Sequence, residues 1–203
     1  MSSEPDVSAV TLTAYEHGAE QYARRTATTP RTPVSDWLQG LCQQIPPSAQ
    51  VLELGSGPGH DADFLETQGL QVLRTDGARA FVGRLRADGH RAEVLNVVTD
   101  ALGGPYDLVL ANAVLLHLTR PQLARFLVRA VQAIRADGLL AFTVKKGNGQ
   151  EWSTDKLDRP RYFTYWQEPE LRTLLNETGW QPLAIDHLPG RGEDWLFVTC
   201  KPH

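Results

Sequence analysis

The sequence predicts an α/β fold: a doubly wound, mostly parallel sheet covered on both faces by helices, with a helical cap ahead of the first strand. Three observations predict it. Short β-like apolar runs alternate with longer runs of helical period, a glycine-rich turn joins the first strand to the helix after it, and two strand-like runs close the chain around a Pro/Gly turn. With 203 residues and 41% hydrophobic content, the chain can bury one sizeable core and is too short for two large domains.

In chain order, residues 1–8 are acidic and carry no apolar run, so they read as neither a secretory signal nor a basic transit peptide, and a cytoplasmic location is expected. Helical patterns at 10–25 and 34–44 flank a Thr/Pro-rich piece at 26–33, and Pro46-Pro47 ends the second helix because proline cannot continue one. Strands are expected at 51–54, 71–75, 92–95, 107–112 and 139–144, each a short apolar run. Helices at 60–68, 78–87 and 121–136 lie between them; Thr119 is the expected N-cap of the last, its hydroxyl able to accept from a free first-turn N–H. Each crossover is then a βαβ unit. A polar, aromatic-rich stretch at 147–166 follows, then a helix at 168–178 and closing strands near 183–187 and 195–200, with Pro189-Gly190-Arg191-Gly192 in the turn. The expected organisation is a single domain over 1–203, made of a helical cap (1–47), a cofactor-binding core (48–144), and a lid loop, helix and closing hairpin (145–203).

Composition narrows the partners. The formal net charge is -4 and no block of like charges occurs, which gives no electrostatic reason to expect nucleic acid and favours a small-molecule substrate. The longest apolar stretch, 108–118, is interrupted by Asn112 and His117 and is too short to span a bilayer, so no membrane partner is expected. Cys42 and Cys200 stand far apart without ligand spacing, as suits core thiols in a reducing compartment, and His17, His60, His90 and His187 lack mutual metal-ligand spacing. No metal is expected, and the chain is read as a monomer or homodimer.

The chemistry begins where the first strand runs into Gly55-Ser56-Gly57-Pro58-Gly59. Glycines there let backbone approach a ligand, and the following helix N-terminus offers free N–H donors. A glycine turn alone also serves tight turns without ligands. Two acids add to it: Glu53 inside the first strand, and Asp76 at the tip of the second, where a carboxylate can accept from both hydroxyls of a ribose. Asp76 could equally cap the helix expected from residue 78. A dinucleotide fingerprint would place its third glycine at position 60, which is His60, and Glu53 would repel a pyrophosphate while favouring an ammonium group.

Val51-Leu52-Glu53-Leu54-Gly55-Ser56-Gly57-Pro58-Gly59 and Tyr106-Asp107-Leu108-Val109-Leu110-Ala111-Asn112 together resemble the first and fourth-strand motifs of the class I S-adenosylmethionine-dependent methyltransferases. The resemblance covers residues 48–144, and the strand-helix order to the C-terminus fits it. It implies a Rossmann-like sheet of seven strands with one antiparallel, S-adenosyl-L-methionine as cofactor and S-adenosyl-L-homocysteine as product. Carried over by position, it implies that Gly55, Ser56, Gly57 and Gly59 meet the methionine end, that Asp76 binds the ribose, and that Gly77 and Phe81 lie near the adenosine. Asn96-Val97 would flank the adenine, although many members have an acid where Asn96 stands, and Ala111-Asn112 would border the sulfonium. Tyr15 and Tyr22 resemble the N-terminal tyrosines that close over the cofactor in relatives; as residues seven apart on a helix they are equally packing residues.

A sulfonium donor leaves as a neutral thioether, so alignment and exclusion of water carry most of the reaction, with about 7 to 11 kcal/mol available from orientation. A base helps if the acceptor is a phenol, alcohol, amine or thiol. His117, just beyond the fourth strand, is the candidate base, and its alternative is a structural histidine before the Thr119 cap. Lys145, Trp152, Arg161, Tyr162, Tyr165 and Trp166 are the candidate substrate residues, suited to a planar or acidic small molecule; the plainer reading of 162–166 is a β-like packing segment with half its rings in the core. Methyl transfer to O or N of a small molecule is the first reading. Methylation of a peptide or protein carboxylate or amine is the second, and a non-catalytic cofactor-binding module the third.

Overall fold

The computed structural model describes residues 6–27, 32–189 and 192–203. Gly190 and Arg191 of the expected closing turn, and parts of the N-terminus and the Thr/Pro-rich piece, lie outside the described residues. The chain opens with α1 (Val7–Thr26) and α2 (Thr32–Cys42), the first capped by the Asp6 carboxylate accepting from Ser8 N–H at 3.0 Å. There follow β1 (Gln50–Leu54), α3 (His60–Thr67), β2 (Gln71–Asp76), α4 (Arg79–Ala87), β3 (Ala92–Val94), β4 (Tyr106–Ala111), α5 (Arg120–Ala130) and β5 (Ile134–Lys145). The last elements are β6 (Gln150–Ser153), β7 (Arg161–Thr164), α6 (Glu168–Glu177), β8 (Trp180–Pro189) and β9 (Asp194–Pro202).

Seven strands form the sheet in the order β3-β2-β1-β4-β5-β9-β8, and β9 alone runs antiparallel to its neighbours. The expected Rossmann-like sheet, with its closing hairpin, is therefore present. Alternation along the strands explains two helical layers. Leu52, Leu54, Val109, Ala111, Leu140 and Phe142 face Phe126, Leu127, Leu171 and Trp180, while Val51, Leu108, Leu110, Leu139 and Ala141 face Leu38, Leu41 and Leu65. Each fully buried large apolar side chain contributes roughly 1.5–3 kcal/mol.

Two expectations change. The helix expected over 121–136 ends at Ala130; residues Val131–Ala133 tighten into a 3-10 turn and Ile134 enters β5, where it pairs with Tyr106. Sheet pairing overrides the helical pattern there. The stretch expected as a loop over 147–166 contains a two-stranded ribbon, β6 against β7, with Trp152 opposite Tyr162. The Thr119 cap is present as a capping box, its hydroxyl accepting from Gln122 N and the Gln122 side chain accepting from Thr119 N at 2.9 Å. Cys200 is buried, whereas Cys42 is half-buried rather than a core thiol. Among the described residues, no helix is long and apolar enough to cross a membrane.

Candidate functional site

Strand order reverses between β1 and β4, so the chain leaves these neighbours toward opposite sides and a crevice opens beyond their carboxyl ends. Parallel register brings Glu53 beside Arg74 of β2 and Leu110 of β4, and ends the three strands at Leu54, Asp76 and Ala111 on one edge, with Gly55 and Asn112 just beyond.

The bend after β1 is held by backbone. Ser56 N donates to Thr75 O at 2.8 Å, Gly59 N to Ser56 O at 2.8 Å, and the Thr75 hydroxyl to Glu53 O at 2.7 Å. Its glycines differ in what excludes a side chain. Gly55 has φ +64°, and a Cβ there would lie 2.4 Å from Val114 Cγ2, whereas at Gly57, φ +51°, a Cβ meets nothing nearer than 4.0 Å. Gly55 is closed by protein; Gly57 faces open space. Behind the bend, the buried Arg74 guanidinium donates to Gly59 O at 3.2 Å and pairs with Asp63 and Glu66 at 2.8 Å each, locking α3 to β2.

Two buried carboxylates line this cradle. Glu53 accepts a short hydrogen bond from the Ser56 hydroxyl, and burial, only partly offset by that bond and by Arg74, pushes its pKa up to about 7. Asp76 accepts from Ala78 N at 2.8 Å and Gly57 N at 2.9 Å, and burial outweighs both bonds to raise it to about 6. The Asp76 side chain thus ties the tip of β2 to the open glycine. Across the crevice, Asn112 Nδ2 donates to Asp61 at 2.8 Å while its Oδ1 accepts from Thr143 at 2.8 Å, and Thr143 also accepts from Ala113 N at 2.8 Å. Ala111 is fully buried beneath them. The Asn96 Oδ1, expected to face an adenine amine, accepts from Val98 N at 2.9 Å, and Val97 packs on the main core.

Helix α1 closes over this edge. A Cβ on Gly77 would lie 2.8 Å from Leu12, Glu16 accepts from Ala80 N at 3.2 Å, and Tyr15, Tyr22 and Phe81 form an aromatic cluster with centroids 5.4–6.5 Å apart. Thr11 accepts from Tyr162 N at 3.0 Å, tying α1 to β7 as well.

The Tyr15 phenol meets His117 Nε2 at 2.9 Å, and His117 Nδ1 lies 2.6 Å from Tyr162 O. A carbonyl can only accept, so Nδ1 carries the proton and Nε2 accepts from the phenol. Burial pulls the His117 pKa down to about 3, with Arg161 and Lys145 adding to the effect. The candidate base, whose alternative reading is a structural histidine, is therefore neutral with both nitrogens engaged, one of them on a backbone carbonyl. Arg161 donates to the same phenol at 3.1 Å.

The candidate substrate residues divide by strand alternation. Arg161, Phe163 and Tyr165 gather around Lys145, whose Nζ lies 3.9 Å from the Phe163 ring and 5.6 Å from that of Tyr165. Tyr162 is buried under the exposed Trp152 at 5.3 Å. Trp166 sits in the main core with the Arg120 guanidinium 4.6 Å over its ring, and its backbone N–H donates to Lys145 O at 3.0 Å. Residues that sequence reasoning missed are Asp61, Thr143 and Glu16; the signal for Asp61 was its place in the first turn of α3. His90 does gather with Asp63 and Glu66, their ligand atoms within 4.8 Å, but Arg74 already pairs with both acids.

Residues 22–185 match a family model described as a methyltransferase domain. No curated protein matches the chain. Among solved structures, the chain is similar to Burkholderia thailandensis 1,6-didemethyltoxoflavin-N1-methyltransferase with bound 1,6-didemethyltoxoflavin and S-adenosylhomocysteine, at 21% identity over 100% of this chain and 91% of that one, TM-score 0.75. It is also similar to DhpI in its SAH complex, at 20% identity over 98% of each chain, TM-score 0.78. A third is the magnesium protoporphyrin IX methyltransferase ChlM from Synechocystis PCC 6803 with bound SAM, at 14% identity over 100% of both chains, TM-score 0.76. At these identities the likeness is one of fold.

Proposed function

This chain belongs to the methyltransferase-domain family, and from that premise we propose that it transfers a methyl group from S-adenosylmethionine to O or N of a small organic molecule. The observation that carries the reading is the open Gly57 with the Asp76 carboxylate bound to its N–H at 2.9 Å. A bare stretch of backbone beside an acid at the tip of β2 suits a nucleoside whose sugar hydroxyls donate to that acid. Two buried carboxylates, Glu53 and Asp76, suit a cationic ligand and oppose a pyrophosphate.

The cofactor supplies a methyl group on a sulfonium that leaves as a neutral thioether. Gly55, Ser56, Gly57 and Gly59 would hold its amino-acid end, Asp76 its ribose, Gly77 and the backbone at Asn96 would lie beside its base, and Asn112 would be the wall beside the sulfur. The Asp61–Asn112–Thr143 chain fixes the asparagine amide in one orientation. Tyr15, Tyr22 and Phe81 hold α1 across the edge and exclude water from it. With a pKa near 3, His117 is a poor proton acceptor at neutral pH, so its part is to position the Tyr15 phenol. A groove of about 430 Å³ between α1 and the ends of β2 and β3, lined by Leu12, Glu16, Gly77 and Asn96, lies on the side where the cofactor's base would sit.

Isothermal calorimetry tests the cofactor: saturable heat with S-adenosylhomocysteine and none with NAD is expected. The reverse pattern would remove the reading. Turnover is then scored as S-adenosylhomocysteine released from S-adenosylmethionine over a panel of small phenols, amines and acids, against a peptide mixture as the competing acceptor class.

A further inference from the structure

Arg161 is 4% exposed, and among the described residues no carboxylate pairs with it. Its Nη1 donates to the Tyr15 hydroxyl, its Nη2 to the Asp155 carbonyl, and its buried Nε–H has no acceptor. The guanidinium carbon lies 5.1 Å from the Phe163 ring, and on the same ring sits Lys145 Nζ, 3.9 Å away and itself 7% exposed. Lys145 pairs at 2.6 Å with Glu193, an exposed residue of the closing hairpin. Around these two cations, α1 contributes Tyr15, the turn after β4 a neutral His117, the β6–β7 connection Lys156 and the exposed Asp155, and β6 the exposed Glu151 on Tyr165. Glu151, Asp155 and Glu193 are at the surface, where water screens them, while both strand-borne cations are inside.

A guanidinium without a counter-anion is unfavourable in a protein interior, and a spare N–H aimed at no acceptor adds to that. Such an arrangement becomes favourable when a ligand brings the missing charge, because a planar guanidinium and an anionic group share charge-assisted hydrogen bonds. The position of the pair selects the ligand. Arg161 lies on β7, and the Tyr15 ring packs toward Phe81 and Tyr22 in one direction and toward Arg161 in the other. Tyr15 thus joins the cation to the aromatic cluster under α1.

We propose that Arg161 and Lys145 form a subsite for an anionic group, a carboxylate or phosphonate, on the methyl acceptor, with Phe163 and Tyr165 as the apolar surface beside it. The inference rests on the methyltransferase reading for the word acceptor; the anion subsite itself does not depend on it. The same charge could be met by the cofactor's own carboxylate, and the experiment separates the two sources.

The full chain saturated with S-adenosylhomocysteine is titrated calorimetrically with benzoate, phenylphosphonate and neutral benzamide, and the series is repeated on Arg161→Met. The expected result is a preference of about tenfold or more for the acids over the amide, lost in Arg161→Met, with S-adenosylhomocysteine affinity changed less than about twofold. Equal binding of acid and amide by the unaltered protein overturns the proposal. So does a preference that survives in Arg161→Met, and so does a loss of about tenfold or more in S-adenosylhomocysteine affinity, which assigns Arg161 to the cofactor. If S-adenosylhomocysteine gives no heat, the functional reading has failed, and the acid-against-amide comparison on the protein alone still decides the subsite. Should Arg161→Met fail to fold by circular dichroism, Lys145→Met takes its place in the same comparison.

Discussion

The Tyr15 hydroxyl donates to His117 Nε2 at 2.9 Å, joining α1 to the turn after β4 across 102 residues of chain. Arg161 donates to the same oxygen at 3.1 Å, so one phenol bonds a buried imidazole nitrogen and one nitrogen of a buried guanidinium together. Tyr15→Phe leaves His117 Nε2 and Arg161 Nη1 without that partner and should destabilise the fold by about 1–3 kcal/mol, read from urea unfolding. Unchanged stability would mean that the link is not made in solution.

His117 gives a pH signature with a definite sign. Its folded pKa of about 3 is below the ordinary 6.5, so the unfolded chain binds the extra proton and stability falls as pH drops through that window. Glu53 and Asp76 act oppositely: their raised folded values, about 7 and about 6, give stability at low pH that is lost as pH rises through them. The difference between the unaltered protein and His117→Gln isolates the histidine. Its stability advantage should shrink by about 2–3 kcal/mol between pH 7 and pH 4.5. If His117 positions rather than accepts, turnover by the two proteins should also share one pH profile; a limb near pH 6.5 present only with histidine would restore it as a base.

The two glycines of the bend should separate folding from binding. Gly55→Ala drives a methyl to 2.4 Å from Val114 Cγ2 at φ +64°, so the loop must shift and the melting temperature should fall clearly. Gly57→Ala meets only open space at φ +51°, and its left-handed backbone should cost about 1 kcal/mol. Its methyl would stand where a ligand approaches. Gly57→Ala should therefore fold with a small loss in melting temperature yet lose most of its S-adenosylhomocysteine affinity by calorimetry; near-normal binding would place the ligand elsewhere.

These contrasts also show which parts were legible beforehand. Strand period, the glycine bend and the acid at position 76 are local in sequence, and each stands where its pattern placed it, Asp76 on the glycine N–H and Thr119 in its capping box. The Tyr15–His117–Tyr162 link is not local: three segments meet there only after the sheet has formed, and no spacing announces it. Asn96 shows a second limit, since its side chain was free to face a ligand on paper and instead turns onto Val98 N. The helix expected through residue 136 failed for the same reason in reverse. Ile134 has a helical pattern behind it, but pairing with Tyr106 settles its conformation.

Charge on the cofactor supplies the last prediction. Asp76 must be ionised to accept from two hydroxyls, and its pKa is raised to about 6, so S-adenosylhomocysteine should bind progressively more weakly as pH falls below that value, approaching about tenfold per unit. Glu53 titrates higher, near 7, and a charge there would favour a sulfonium over a neutral thioether bound close to it. If the sulfonium lies within reach of Glu53, lowering pH from 8 to 6.5 should weaken S-adenosylmethionine more than its demethylated product, because that carboxylate is being neutralised. Glu53→Gln fixes the neutral state and should abolish that difference while leaving the Asp76-linked loss below pH 6. Calorimetric titrations of both ligands at several pH values provide the comparison. Parallel curves for the two ligands in the unaltered protein would show that Glu53 does not sense the sulfonium, and would leave it the role of holding Ser56 alone.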